Sequence, residues 1–415
     1  MKICINSEIG KLEGVIIHPP GSEVENMTPE NAERALYSDI LNLSIASKEY
    51  DQLKGVMQKI TSVFEIKNLL TDILKDENAK QKLLFEICSN ECIGLNPGLI
   101  NLTPEKLAGM LIEGVVLEKN NLTNYLSNER FLLPPLHNLF FTRDSAMGIN
   151  DSMLIGKMAN PVRERESIIM EAVFNNHTNF ETTTINPATP NPGIAGIKKA
   201  TIEGGDVQIA RDDIFVIGTG IRTSTQGIDF IIENLKQIKT GPHHIIVQEL
   251  PASPESFIHL DMVFTFLNKN ECMVYPPVIF EMNRYRTILL KIENQKVVKI
   301  EEQENIPAAL QKLGMDVKPL SCGGEKDPWN QEREQWHSGA NFFAFAPGKV
   351  IGYQRNVHTI EELNKNGYDV LAATDVIDGK VLLDDYKKCV VTIAGSELAR
   401  GGGGARCMTM PIHRA

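Results

Sequence analysis

The sequence has no long hydrophobic run, and this argues against a protein built into a membrane. None of its 415 residues belongs to an apolar stretch long enough to cross a bilayer, and the N-terminal residues lack the unbroken apolar segment of a secretory signal. Cysteine is scarce, with seven scattered residues in irregular spacing. A disulfide framework is therefore not expected, and the sequence predicts a protein of the reducing cytoplasm.

Cofactor-binding motifs are also missing. The chain contains neither the glycine-rich loop with Lys-Ser or Lys-Thr that cradles phosphates nor the Gly-x-Gly-x-x-Gly turn of dinucleotide-binding domains. Cys88 and Cys92 lie four residues apart, but no histidine or second cysteine pair lies near enough in the sequence to complete a zinc site. The sequence therefore predicts no nucleotide, no metal and no other cofactor.

The excess of acidic residues narrows the possible partners. With 53 Asp and Glu against 42 Lys and Arg, the formal net charge is −11 at pH 7. This charge argues against a nucleic-acid-binding surface and mildly favours a cationic small molecule as ligand. The hydrophobic content of 42% is that of a globular chain able to bury a large core, in two or three domains or in one closed architecture with an insertion.

A repeat becomes visible from residue 134 onward. Its unit is an apolar strand, a polar turn, a second apolar strand and a helix. Four copies follow one another, and a fifth is split between the two ends of the chain, with 408–412 as its first strand and 15–18 as its second. The strand pairs of the other copies are predicted at 145–149 and 153–156, 207–210 and 214–217, 262–266 and 272–275, and 342–345 and 350–353, with helices at 161–175, 224–238, 307–313 and 359–366.

Two stretches outside the repeat carry helical patterns. Residues from about 29 to 60 are predicted to be helical, and a short strand follows at 63–66. Residues from 71 to about 127 have leucine and isoleucine at helical spacing, and we predict helices throughout. The chain is therefore divided into an α/β unit, residues 1–70 with 128–415, and a helical insertion, residues 71–127.

A polar residue precedes the first strand of every copy. These residues are Asp144, Asp206, Asp261, Asn341 and Cys407. If the copies are related by rotation, the five positions fall at equivalent places around one hub. This favours a mixed α/β ring over independent domains, and it gathers distant motifs into one site.

Cys407 follows a run of four glycines, 401–404. Glycine has no Cβ to prevent positive φ or close approach to a bound molecule, so a thiol after such a loop is well placed as a nucleophile. Taken alone, each motif has a structural alternative: a C-terminal tail with an incidental cysteine, a surface ion pair for FTRD, a turn for EGGD, and a core histidine for His259. Their shared phase in the repeat argues against coincidence.

The hub residues and their neighbours suit covalent catalysis on a cationic carbon centre. Carboxylates accept the N–H donors of a planar guanidinium in pairs. We expect Asp144 and Asp261 to bind such a cation and Glu203 to accept a further N–H. The bound cation would favour the thiolate of Cys407, and His259 would protonate the leaving nitrogen and later deprotonate water.

Several segments together resemble the arginine deiminases of the guanidino-group-modifying superfamily. The resemblance covers nearly the whole chain and is carried by SEIGKLEGVIIHPPG, NLFFTRD, EGGDV, IRTS, HLDMVFT, REQWHSGAN, PGKVIGYQRN and CMTMPI. It implies a five-bladed α/β propeller with pseudo-fivefold symmetry and a helical insertion. It also implies hydrolysis of L-arginine to L-citrulline and ammonia without a cofactor, through attack of Cys407 on the guanidinium carbon.

The resemblance assigns roles residue by residue. Asp144 and Asp261 match the aspartates that bind the guanidinium, while His259 and Glu203 match the acid–base pair. The family position assigned to Arg163 could instead be matched by Arg165. The residues expected to bind the rest of the substrate and its α-carboxylate are Asn138, Phe141, Arg163, Arg222 and Asp206.

The sequence departs from the family at Gly402, where many members carry an arginine that reaches the substrate carboxylate. Arg400 and Arg406 are the candidates to replace it. The departure leaves open hydrolysis of a related guanidine such as agmatine. A separate alternative is arginine binding without catalysis on the same scaffold. As partners we expect L-arginine, no nucleic acid, no membrane, and further copies of the chain in a homo-oligomer, a dimer or a tetramer.

Overall fold

Strands and helices alternate along most of the chain. A computed structural model describes residues 1–28, 37, 39–94, 97–189, 199–238, 241–281 and 283–415, so the helical signals predicted at 29–36 lie outside the described residues. The strands are β1 Leu12–Ile17, β2 Ser62–Glu65, β3 Val115–Val116, β4 Phe131–Leu133, β5 Ala146–Ile149, β6 Ser152–Ile155, β7 Thr183–Ile185, β8 Val207–Arg211, β9 Ile214–Thr219, β10 His243–Glu249, β11 Phe264–Asn268, β12 Glu271–Val274, β13 Thr287–Glu293, β14 Lys296–Gln303, β15 Lys318–Ser321, β16 Phe343–Ala346, β17 Lys349–Tyr353, β18 Asp369–Ala372, β19 Cys389–Ile393 and β20 Met410–Arg414.

The described α-helices fill most of the longer connections. They are α1 Ser22–Glu25, α2 Leu43–Ile60, α3 Ile66–Ile73, α4 Glu77–Asn90, α5 Pro97–Ile100, α6 Pro104–Glu113, α7 Leu122–Leu126, α8 Glu164–Asn176, α9 Thr225–Leu235, α10 Pro276–Ile279, α11 Ile306–Lys312, α12 Pro328–Trp336, α13 Val357–Lys365 and α14 Ala373–Ile377. Polar caps fix several helix starts. The side chain of Ser224 accepts from the N–H of Gly227 at the start of α9, and that of Asn42 accepts from Ser44 at the start of α2.

The described strands form five sheets of three or more strands that share one connection pattern. In each sheet the first strand is antiparallel to the second, and the second is parallel to the third. A parallel partner requires a crossover, and at least one helix lies in each one. The pattern confirms the strand pairs predicted for all five copies. The five sets are β5-β6-β7, β8-β9-β10, β11-β12-β15, β16-β17-β19 and β20-β1-β2.

The fifth sheet joins the two ends of the chain. Its strand β20 pairs antiparallel with β1, and Val15 lies opposite Pro411. Proline donates no ladder hydrogen bond, and it is tolerated because β20 is the edge strand of this sheet. The pairing fixes the strand that begins three residues after Cys407 against the N-terminal strand.

The core is built from continuous apolar runs. Strand β9 is buried along its first five residues, and β19 along all five. Strands with a parallel neighbour and covered faces show such runs in place of alternation, which is why the pattern was readable in the sequence. Each fully buried valine or isoleucine contributes roughly 1.5–3 kcal/mol of transfer free energy.

Residues 66–133 depart from the prediction in two respects. The first helix of this stretch, α3, begins at Ile66 directly after β2 and not at residue 71. The prediction of helix throughout is wrong at Val115–Val116, which pairs with β4 in a two-stranded ribbon. The two consecutive β-branched residues favour this extended conformation. The helices around the ribbon pack through leucine and isoleucine side chains into one apolar cluster with α8.

The third copy also starts later than predicted. Met262 lies in a 3-10 turn, Leu260–Met262, and the strand begins only at Phe264. The N–H of Leu260 donates to Asp206 Oδ1 at 2.9 Å, so the turn is fixed by the preceding copy. No helix in the described part of the chain combines the length and hydropathy needed to cross a bilayer.

Candidate active site

The polar residues that precede the first strands are all buried, and none is more than 4% exposed. Hydrogen bonds link neighbouring copies at these positions and close into a ring. The five links are Gly205 N–H to Asp144 Oδ1 (3.2 Å), Leu260 N–H to Asp206 Oδ1 (2.9 Å), Asn341 Nδ2 to the Asp261 carbonyl (3.2 Å), Cys407 N–H to Asn341 Oδ1 (3.3 Å) and Arg143 N–H to the Cys407 carbonyl (3.0 Å). The hub predicted from the shared phase of these residues therefore exists as a contiguous set of contacts.

His259 and Glu203 form a fully buried pair in the site. Nε2 of His259 lies 2.9 Å from Oε2 of Glu203, and Nδ1 lies 3.8 Å from Asp144 Oδ1. Burial lowers the pKa of His259, but the carboxylate of Asp144 and the hydrogen bond to Glu203 outweigh it and raise this pKa to about 9. Burial raises the pKa of Glu203, yet the hydrogen bond from His259 and the charge of Arg222 bring it well below its ordinary value. At neutral pH the pair is an imidazolium beside a carboxylate.

Gly205 allows the imidazole of His259 to lie directly against the backbone that donates to Asp144. A Cβ at this position would lie 2.6 Å from the His259 ring, which is closer than real Cβ contacts permit. The glycine of the EGGD motif is therefore required by close approach of the backbone to the imidazole.

The thiol of Cys407 lies between an amide and a carboxylate. Nδ2 of Asn341 is 3.2 Å from Sγ, and Sγ is 3.6 Å from Oδ2 of Asp261. Burial raises the pKa of the Cys407 thiol well above its ordinary value, and the carboxylates of Asp261 and Asp144 raise it further. A cation bound beside the sulfur would act in the opposite direction and favour the thiolate.

Asp261 accepts a hydrogen bond from the guanidinium of Arg406. Nη1 of Arg406 donates to Asp261 Oδ2 at 2.9 Å, and its Nε and Nη2 donate to the two oxygens of Glu8 at 3.1 Å each. Among the described residues, none donates a hydrogen bond to Asp261 Oδ1, although this atom is buried. Arg406 is therefore bound to two carboxylates, and these contacts argue against it as the replacement for the missing carboxylate-binding arginine.

Arg163 lies at the site, whereas Arg165 does not contact it. Nη1 of Arg163 donates to Asp144 Oδ2 at 2.7 Å, and Nη2 donates to Glu166 Oε2 at 2.8 Å. Arg165 instead forms an ion pair with Glu91 at 3.1 Å. Of the two candidate positions, the structure brings only Arg163 to the predicted residues.

Arg222 and Asp206 complete the charged groups. Nη1 of Arg222 is 3.6 Å from Glu203 Oε2 but makes no hydrogen bond within the described part of the chain. Burial raises the pKa of Asp206 to about 7. Both side chains are nine-tenths buried or more.

Phe141 packs against the glycine loop, and Asn138 contacts Arg163. The ring of Phe141 packs against the backbone of Gly401 and Gly403. The carbonyl of Asn138 accepts from Arg163 Nη2 at 3.5 Å. Gly402 has φ +85°, a left-handed conformation, and faces open space, so no local contact substitutes for the arginine of other family members there.

Arg400 is partly exposed beside this loop. It forms ion pairs with Asp39 at 3.3 Å and with Glu397 at 3.7 Å, and its side chain is 47% exposed. Its exposure leaves it as the remaining candidate near Gly402.

Asp144, Glu203 and His259 also place ligand atoms within 4.8 Å of one another, close enough to hold a metal ion. Arg163 is already paired with Asp144, and Arg222 and His259 lie beside Glu203. Three cations therefore already lie beside these two carboxylates, and a metal ion would add further positive charge to the set.

Sequence reasoning missed three features of this site. Asn341 was included for its phase only, but it contacts both the backbone and the sulfur of Cys407. Glu8 and Glu166 received no role, although each accepts hydrogen bonds from a buried arginine of the site. Glu8 lies in the SEIGKLEG motif, but no spacing shows that it meets a residue 398 positions away.

Comparison with known proteins gives independent evidence on the family of this chain. A model of the arginine deiminase family matches residues 33–414. The arginine deiminase of Oenococcus oeni is 31% identical over 433 residues, and the alignment covers 99% of this chain and 97% of the relative.

Two solved structures share the fold at lower identity. SxtG, an amidinotransferase from Microseira wollei, is 12% identical with a TM-score of 0.56, covering 99% of this chain and 97% of that one. The N-terminal domain of ArgZ, an arginine dihydrolase from cyanobacteria, is 12% identical with a TM-score of 0.53, covering 97% and 98%. These two likenesses concern the fold alone. Because the family match includes all five residues of the hub and almost the whole chain, the chain belongs to the arginine deiminase family.

Proposed function

We propose that this protein hydrolyses L-arginine to L-citrulline and ammonia through a covalent intermediate on Cys407. One observation carries the proposal. A thiol in contact with Asp261 and a charged imidazole paired with Glu203 belong to the same buried set of contacts, which also includes Asp144. Membership in the arginine deiminase family supports this substrate.

The guanidinium of the substrate is bound by carboxylates. Asp261 offers its unpaired Oδ1, and Asp144 offers a carboxylate that already accepts from a guanidinium, that of Arg163. Arginine side chains and carboxylates form planar, paired hydrogen bonds, so a second guanidinium suits the same groups. The rest of the substrate and its α-carboxylate are held by Asn138, Phe141, Arg163, Arg222 and Asp206.

In the first step the bound guanidinium favours loss of the Cys407 thiol proton to solvent, and the thiolate attacks the guanidinium carbon and forms a C–S bond. The C–N bond to one terminal nitrogen then breaks, and the electron pair leaves with that nitrogen. His259, which is charged at neutral pH, gives the nitrogen a proton so that ammonia departs. The product on the enzyme is an amidino-thioether cation.

In the second step the neutral imidazole accepts a proton from water, and the oxygen attacks the same carbon. The C–S bond breaks, and the thiolate returns to Cys407. The remaining hydroxyl proton passes to solvent, which leaves citrulline. Glu203 stabilises the imidazolium in both steps because it is its hydrogen-bond partner.

The proposal includes the architecture around the site. The common connection pattern of the five sheets and the closed ring of hydrogen bonds support a five-bladed α/β propeller with pseudo-fivefold symmetry. Residues 71–127 are proposed as a helical insertion into the catalytic unit of residues 1–70 and 128–415. The protein is further proposed to act in the cytoplasm as a dimer or tetramer.

Parallel assays on L-arginine and agmatine test the function. Agmatine has no α-carboxylate, and Gly402, which stands in place of a carboxylate-binding arginine, favours agmatine as the substrate. The buried Arg222 and Arg163 could bind a carboxylate and therefore favour arginine. We expect equal amounts of citrulline and ammonia from arginine, with a kcat/KM at least roughly a hundredfold above that for agmatine. Faster turnover of agmatine would overturn the choice of substrate, and arginine binding without either product would indicate a binding protein.

A further inference from the structure

One buried carboxylate holds the segment that leads to Cys407. Glu49 lies on α2 and is 4% exposed. Its two oxygens accept from the N–H groups of Ser396 (2.9 Å), Glu397 (3.0 Å) and Leu398 (2.9 Å), and also from the Ser396 hydroxyl. Four donors from three consecutive residues therefore converge on one side chain.

Other residues of the same helix extend this contact in both directions. Gln52 Oε1 accepts from the N–H of Ala394 at 2.8 Å. Tyr50 donates from its hydroxyl to the carbonyl of Met408 at 3.4 Å, directly after the nucleophile. Helix α2 thus contacts the chain on both sides of Cys407.

The segment between these contacts is held near its end by Arg406, which donates to Asp261 and Glu8, and by the Arg143 N–H, which donates to the Cys407 carbonyl. The hydroxyl of Tyr353 donates to the Gly403 carbonyl at 2.9 Å, and Asn341 accepts from the N–H groups of Arg406 and Cys407. The four glycines have no side chains of their own, but the Phe141 ring packs against the backbone of Gly401 and Gly403. Residues 396–398, at the start of the segment, are held by the carboxylate of Glu49.

We propose that Glu49 is a positioning residue for the nucleophile, which acts by fixing residues 396–398 so that Cys407 Sγ stays against Asp261 and Asn341. The inference rests on the proposed function, because it assigns a consequence to the position of that sulfur. A buried carboxylate is costly unless hydrogen bonds satisfy it, and here the groups that satisfy it belong to the loop.

The test compares the wild-type protein with Glu49→Gln and Asp51→Asn. Glutamine keeps the shape but replaces one acceptor oxygen with an NH₂ group that faces backbone N–H donors. Asp51 is an exposed acid on the same helix, so its variant is a matched charge control. We expect Glu49→Gln to lower kcat on arginine by about ten- to a hundredfold with KM within about threefold, and Asp51→Asn to stay within about twofold in both.

A binding measurement distinguishes a positioning role of Glu49 for Cys407 from a general loss of structure in the substrate site. Calorimetry gives the arginine Kd of Cys407→Ala with and without Glu49→Gln. The proposal predicts a Kd within about threefold between the two, because the carboxylate acts on the sulfur and not on the guanidinium site. A comparable loss of binding, or a kcat for Glu49→Gln within about twofold of wild type, would overturn the proposal.

A milder variant keeps the test valid if Glu49→Gln does not fold. Ser396→Ala removes only the hydroxyl donor to Glu49, and we expect a fall in kcat of roughly three- to tenfold at unchanged KM. An unchanged kcat would overturn the proposal. Failure of the proposed function is distinguishable, since it would appear in the wild-type protein as the absence of citrulline.

Discussion

The Nε2 atom of His259 lies 2.9 Å from Glu203 Oε2, and neither side chain is more than 1% exposed. The relationship decides the protonation state of the site, because the carboxylate keeps the imidazole charged through neutral pH. A charged imidazole is the acid that the departure of ammonia requires.

The pair predicts a pH dependence of stability. The pKa of His259 is about 9 in the folded protein against 6.5 for the ordinary side chain, so its stabilising contribution is full below pH 6.5 and is lost as the pH rises through 9. We expect His259→Asn to lower the free energy of unfolding by on the order of 3 kcal/mol at pH 6, and by much less at pH 10. Urea unfolding of both proteins across this range measures the difference.

The exposed His358 provides the control for this experiment. His358→Asn should change the free energy of unfolding by no more than about 0.5 kcal/mol throughout. A loss for His259→Asn that grows from pH 6 to pH 10 would show that the sign of the linkage is wrong.

Asp206 should lower stability in the same direction of pH, because its pKa is also raised, but its removal should stabilise the fold. Burial raises its pKa from 3.8 to about 7, so its ionisation destabilises the fold as the pH rises above the ordinary value. Asp206→Asn keeps an acceptor for the Leu260 N–H and removes the buried charge. We expect this variant to gain stability relative to the wild type between pH 5 and pH 8 in thermal unfolding. If Asp206→Asn and the wild type had equal melting temperatures at pH 5 and again at pH 8, the prediction would be contradicted.

Asp261 should matter more than any surface carboxylate. It contacts Cys407 Sγ and accepts from Arg406, and in the proposed mechanism its unpaired Oδ1 accepts from the substrate. We expect Asp261→Ala to reduce kcat/KM on arginine by the equivalent of about 3–5 kcal/mol, the scale of breaking a buried charge pair. Asp369→Ala, at an exposed position, is the control. A near-wild-type kcat/KM for Asp261→Ala would refute its role in binding the guanidinium.

Arg222 should distinguish substrates with and without a carboxylate. Its Nη1 is buried without a hydrogen bond in the described part of the chain, so it is available to an anion. We expect Arg222→Ala to raise the KM for arginine roughly tenfold or more, since a charge-assisted hydrogen bond contributes about 1.5–3 kcal/mol. The slow reaction with agmatine should change much less, through the lost charge beside Glu203 alone. Steady-state kinetics on both substrates measures this. An equal effect on both would place Arg222 outside the carboxylate site.

The sequence predicted the elements whose signals are local. The strand pairs were visible as apolar runs because their parallel neighbours bury both faces, and the polar residues before them marked the hub. The boundaries of the elements and the shortest strands were harder to predict. The helix at Ile66 follows its strand without a break, and the ribbon at Val115–Val116 is only two residues long.

The contacts that position the catalytic groups could not be predicted, because they join distant positions without a periodic signal. Glu8 meets Arg406 across 398 residues, and Glu49 meets Leu398 across 349. Both carboxylates lie in stretches whose patterns indicate only a turn or a helix. Such pairs become apparent only when the two ends of the chain share one sheet.

Rapid acid quench during turnover of L-arginine, followed by mass spectrometry of the peptide that carries Cys407, tests the central claim most directly. We predict an adduct with the mass of arginine less ammonia on Cys407. Cys407→Ser should lack it, keep its fold, and lose turnover by roughly a thousandfold or more. Citrulline formation without an adduct on Cys407, or substantial activity in Cys407→Ser, would contradict the covalent route.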